Sequence, residues 1–143
     1  MTSNTRAQVF QRMLAREAGP DATAPEVAAA ARHLGERFAQ QLNPLIGAGG
    51  VAAIVDRSFH LTQRSVPGLA PIRASDRNDG PFALLQRSME QQDPAAAAEA
   101  AIAMLAAIAE LLVSFVGESV TARLLREAWP DDFAGDTTEE TTA

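Results

Sequence analysis

The chain has no cysteine, no tyrosine and no lysine, and it carries a single tryptophan; all twelve of its basic side chains are arginines. Without cysteine there are no disulfides, no thiolate metal ligands and no thiol nucleophile. Without lysine there is no Schiff-base chemistry and no phosphate-binding-loop lysine. Aromatic residues make up only 5% of the sequence and β-branched residues are sparse, while alanine recurs throughout. That balance favours helix over sheet. Positive charge is also short: the net charge is −6 and the arginines are scattered. This weighs against nonspecific nucleic-acid binding, which draws on clustered cations. No basic-then-apolar leader opens the sequence, so a cytoplasmic location is expected.

What remains reads as one globular domain. A length of 143 residues suffices for a single sizeable core, and 47% hydrophobic with 21% charged residues is the balance of a soluble protein. The longest apolar stretch, Ala95 to Val116, is long enough to cross a bilayer. Glu99 and Glu110 lie inside it, and each is costly in hydrocarbon. It is read as a core helix, and no membrane partner is expected.

Apolar spacing and capping signals divide the chain into five or six helices. Val9, Phe10, Met13 and Leu14 form the first stripe, which Gly19-Pro20 ends. Thr23 followed by Glu26 is a capping box, with Pro25 in the first turn of a helix that buries Val27, Leu34, Phe38 and Leu42. Asn43-Pro44 and the glycines at 47, 49 and 50 are read as an interruption, after which Val51, Ile54, Val55 and Phe59 face inward. Residues 67–80 form a Pro-, Gly- and Asp-rich connector, and a short helix follows. Asp93-Pro94 opens the longest helix, whose expected inward stripe is Leu105, Ile108, Leu112 and Phe115, with Ala98 and Ala101 on the same side. Val120, Leu124, Leu125 and Trp129 line the last helix, and 131–143 is read as an acidic, disordered tail.

Sliding the sequence by 70 residues aligns two of these segments without a gap. Thr23 falls on Asp93, Leu34 on Met104, Phe38 on Ile108, Leu42 on Leu112, Leu45 on Phe115 and Gly47 on Gly117. Past the glycine, Ile54 meets Leu124, Val55 meets Leu125 and Phe59 meets Trp129. The expectation is an all-α single domain over 1–130, built from a duplicated three-helix unit (about 5–66 and 81–130) with pseudo-twofold symmetry. On this reading the Gly47 region is a break between helices, where a residue without Cβ takes positive φ.

Candidate chemistry is sparse. The glycines at 47, 49 and 50 lack the preceding strand that a dinucleotide-binding turn requires. His60 has Asp56, Arg57, Gln63 and Arg64 three or four residues away, on the face opposite the apolar stripe. It is read either as a solvated helix-face histidine or as a phosphoacceptor, with Arg57 and Arg64 stabilising the transferred group. A helical bundle bearing such a histidine resembles a histidine phosphotransfer domain. That family has lysine three residues after the histidine and a small residue next, where this chain has Gln63 and Arg64. Asp56 and His60 offer two metal ligands at i and i+4, with nothing to complete a site, and no metal or cofactor is expected. His33 is open to a cofactor-ligating or a hydrogen-bonded structural reading and is assigned neither. Glu99 and Glu110 are expected to pair with Arg32, Arg37 or Arg123, or to face solvent.

No nucleophile elbow or catalytic triad context is present, and the expectation is a non-enzymatic regulatory module that works through protein–protein contacts and self-associates as a homodimer. Two alternatives stay open: phosphotransfer at His60, and a sensor binding a small ligand in a seam near Phe59 and Trp129.

Overall fold

The computed structural model describes residues 3–66, 86–87 and 89–133. The described residues contain helices and no strand, so the fold is all-α. The connector expected at 67–80, the first part of the short helix after it, and the tail past Phe133 lie outside the described residues.

Among the described residues four principal helices build the bundle. α1 is Ser3–Ala18, α2 is Ala24–Ser65, α3 is Pro94–Val116 and α4 is Glu118–Ala128. The capping box forms as its sequence requires: the Thr23 side chain accepts from the Glu26 backbone N–H, and the Glu26 carboxylate accepts from the Thr23 N–H at 2.9 Å. Asp93 caps α3 with one half of that arrangement, its side chain accepting from the Ala96 N–H at 2.8 Å.

α2 bends once. The helix runs through Asn43 and Pro44 and breaks at Gly47, with φ 77° and ψ 166°, before resuming at once through Gly49 and Gly50. The breaker residues of the sequence spread this interruption over 43–50. A single residue is enough, because only glycine occupies that corner of the backbone map readily. Gly117, between α3 and α4, has φ 91° and ψ 166°. α3 and the limb of α2 before its break are both 23 residues long.

Side-chain contacts fix the directions. Glu17 meets His33 and Phe10 meets Phe38, so α1 runs antiparallel to the first limb of α2. Arg6 meets Glu110, while Leu14 and Ala18 share a groove with Ala98 and Ile102, so α1 is antiparallel to α3 as well. The first limb of α2 and α3 therefore run in the same direction, and both glycine breaks lie at one end of the bundle. From there the second limb of α2 returns along α3, with Thr62 against the Met104 sulfur, and α4 returns along the first limb, with Phe38 against Trp129.

The core fills the space between these helices with Phe10, Met13, Phe38, Phe59, Met104, Ile108, Leu112 and Leu125. Alanines 28, 31, 97, 100 and 101 are buried among them, where small side chains let helix axes approach closely. Phe133 is also buried and packs on Phe10 and Trp129. Its place in the expected tail is thus corrected; one aromatic after "PDD" carries no periodic signal. α2 and α3 are each long and apolar enough to cross a membrane, with mean hydropathy of 1.2 and 2.0 over their richest windows; in the bundle their buried faces pack on neighbouring helices.

Candidate functional site

At the end of the bundle that carries the glycine breaks, two large apolar side chains face outward. Phe115 is 72% exposed and Leu45 is 47% exposed. Each sits two residues before a positive-φ glycine. The inward position expected for Phe115 is thus corrected. Its spacing from Leu105, Ile108 and Leu112 does place it on the buried stripe, but the neighbouring helix ends too soon. α1 starts at Ser3 and already has Arg6 opposite Glu110, so α3 projects past the described cover.

A buried arginine closes the same end. Arg6 is 5% exposed, and its two terminal nitrogens donate to Glu118 at 2.9 Å and Glu110 at 3.0 Å. One guanidinium from α1 therefore ties α3 to α4 across the Gly117 break. The arginines that the sequence suggests for Glu110 are engaged elsewhere. Arg32 pairs with Glu36 and donates to Gln86, Arg37 donates to the Ala128 carbonyl, and Arg123 lies 3.9 Å from Glu127. Glu99 is exposed. Arg6 carries no sequence signal of its own, because an isolated arginine near a chain start is ordinarily solvated.

His60 lies where its helix position puts it, exposed on the second limb of α2 with Arg57 and Arg64 exposed on the same face. Its Nδ1 is 2.8 Å from the Asp56 carbonyl oxygen and 3.8 Å from the Asp56 carboxylate. A carbonyl only accepts, so Nδ1 donates in this contact and Nε2 is the ring nitrogen left to face away from Asp56.

The two residues of the expected ligand seam do not share a ring contact. Trp129 joins Phe10, Phe38 and Phe133 in an aromatic cluster, with edge-to-face approaches of 5.5 Å to Phe38 and 6.0 Å to Phe10. Phe59 is buried elsewhere in the core. Trp129 instead borders a cleft of about 180 Å³ between α1, α2 and the turn after α4. Met13 and Leu34 supply further apolar wall. Its rim is charged: Arg16 donates to Asp132 at 2.7 Å, and His33 pairs with Glu17. Asp132, aided by Asp131, raises the Arg16 pKa above its ordinary value and so holds the guanidinium charged. A second, larger groove of about 370 Å³, lined by Leu14, Val27, Ala98 and Ile102, lies toward the bundle end away from the glycine breaks. Among the described residues no three histidine or carboxylate side chains converge as metal ligands.

No family model, curated protein or solved structure matches this chain. Its function is therefore read from its own geometry.

Proposed function

We propose that this protein is a non-enzymatic helical interaction module, and that the bundle end bearing Leu45 and Phe115 is its docking surface, with a second copy of the chain as partner. The observation that carries this reading is the pairing of the two large apolar side chains that are exposed among the described residues. They lie 70 residues apart, at equivalent places in the two halves. Exposing a phenylalanine forgoes roughly 1.5–3 kcal/mol of burial free energy, and aromatic side chains are enriched where protein surfaces meet.

The same reading takes the bundle as an internal duplication. Support comes from the matched caps, the near-identical conformations of Gly47 and Gly117, and the equal helix lengths. Contacts across the halves correspond as well: Thr62 meets Met104, and their partners at the 70-residue offset, Asp132 and Leu34, border one cleft. Two like apolar points at one end suit an isologous contact, in which the same patch serves both subunits.

Light scattering across a concentration series tests it. The wild-type chain is expected to show dimer mass, and the Leu45→Ser/Phe115→Ser double variant monomer mass with unchanged helicity. A wild-type chain that stays monomeric, or that floats with phosphatidylglycerol vesicles instead, contradicts the proposal.

A second reading is favoured by the contact of His60 with Asp56. With Nδ1 donating to the Asp56 carbonyl, Nε2 is the nitrogen available to attack an acyl phosphate, and the exposed Arg57 and Arg64 lie three residues before it and four after it on the helix. In that step Nε2 bonds to phosphorus, the P–O bond to the acyl group breaks, and the carboxylate leaves. Incubation with acetyl phosphate, then mass spectrometry for acid-labile phosphate, decides it: label on the wild type and none on His60→Gln supports the step, and an unlabelled wild type removes it.

A further inference from the structure

The groove of about 370 Å³ is walled by the last turn of α1, the turn into α2 and the start of α3. Ala18, Ala22, Ala98 and Ile102 are half-buried against the core and give it an accessible apolar wall, with the exposed Pro94 and Ala95 beside them. Alanine at 15, 18, 22, 95 and 98 is what leaves the space. The volume exceeds the roughly 300 Å³ at which pockets for drug-sized molecules begin.

The polar atoms along this wall favour a cation. Asp21 is the only charged residue that lines the groove; it is exposed, and no hydrogen bond or ion pair engages its carboxylate among the described residues. The end of α1 adds carbonyl oxygens. Pro20 has no N–H to offer the Arg16 carbonyl, and no backbone N–H among the described residues donates to the carbonyl of Ala18, which also lines the groove. The starts of α2 and α3 would favour an anion, but Thr23 and Asp93 already cap them. Gln11, the remaining polar side chain of the lining, can accept as well.

We propose that this groove binds a primary aliphatic amine, its ammonium group on the Asp21 carboxylate and its chain along Ala18, Ala98 and Ile102. The site is separate from the proposed docking end and does not depend on it.

n-Hexylamine is the probe, and the δ1-methyl ¹³C–¹H cross-peak of Ile102, assigned by its loss in Ile102→Val, is the readout. Hexylamine is expected to shift that peak saturably. 1-Hexanol, the same chain without the charge, is expected to bind about threefold to fivefold more weakly, the margin of an exposed ion pair, and hexanoate more weakly still. Asp21→Asn should weaken hexylamine by the same factor at unchanged helicity, because Asn accepts the left-handed backbone that Asp21 adopts at φ 57°. Ala98→Leu, which fills the groove, should abolish binding, while Leu45→Ser/Phe115→Ser should bind as the wild type does. No saturable shift at millimolar hexylamine overturns the proposal. So does binding of hexanoate or 1-hexanol as tight as that of hexylamine, or wild-type affinity in Asp21→Asn.

Discussion

Glu26 shows how a single carboxylate couples this fold to pH. It is solvent-exposed, yet its pKa lies below the ordinary carboxylate value because the Thr23 backbone N–H, and then the Thr23 hydroxyl, donate to its charged form. A carboxyl held lower in the folded state stabilises that state fully at pH above its unfolded pKa, about 4.3. The contribution fades as pH falls through the lowered folded value. Stability measured by denaturant titration should therefore decline across the acid range in the wild type, and Glu26→Gln should lessen that decline. Arg6 acts through burial. Its partners are 48% and 50% exposed, which places the pair between a surface ion pair and a buried one. Arg6→Met should cost about 2 kcal/mol, between those limits, and loosen α4 first, visible as faster amide exchange near Glu118. The capping box is legible in four consecutive letters because both of its partners are local. The role of Arg6 is not, because its partners lie 104 and 112 residues away.

Among the elements, the two glycine breaks set the architecture. A Cβ added to Gly47 or Gly117 would meet no atom within 4 Å, so crowding is not what demands glycine there. The backbone is: φ of 77° and 91° with ψ of 166° is a region that residues with a side chain occupy only under strain. Gly47→Ala and Gly117→Ala should each destabilise by about 1–3 kcal/mol, and by similar amounts, as read from chemical denaturation. Gly49→Ala, inside a regular helical stretch with open space around the new methyl, should stabilise by about 0.5–1 kcal/mol. Equal effects at all three sites would contradict the assignment. Periodicity finds the helices because each has a continuous buried face. It errs at Phe115, since a stripe says which side of a helix faces the core and nothing about where the covering helix stops. It also widens the break around Gly47, because Pro44 and the later glycines carry the same breaker signal whether or not the chain turns there.

At the scale of the whole molecule, two parallel long helices rise to a common end. There the chain turns back twice, Arg6 holds one of the turns, and Leu45 and Phe115 stay outside the core. The cleft at Trp129 escapes sequence reading for a physical reason: its walls come from three segments whose charges are solvated surface until the fold brings them together. His33, to which the sequence assigns no role, is part of that rim. The proposed docking end is open to a direct check because the chain has no cysteine, so one introduced thiol is the only thiol. Ser114 and Ser65 are both exposed; Ser114 adjoins Phe115, and Ser65 lies at the far end of the second limb of α2. Under mild oxidation in dilute solution, Ser114→Cys should give a disulfide-linked dimer, with Ser65→Cys remaining a monomer. If Ser65→Cys cross-links and Ser114→Cys does not, the copies meet elsewhere and the end bearing Phe115 is not where this protein docks.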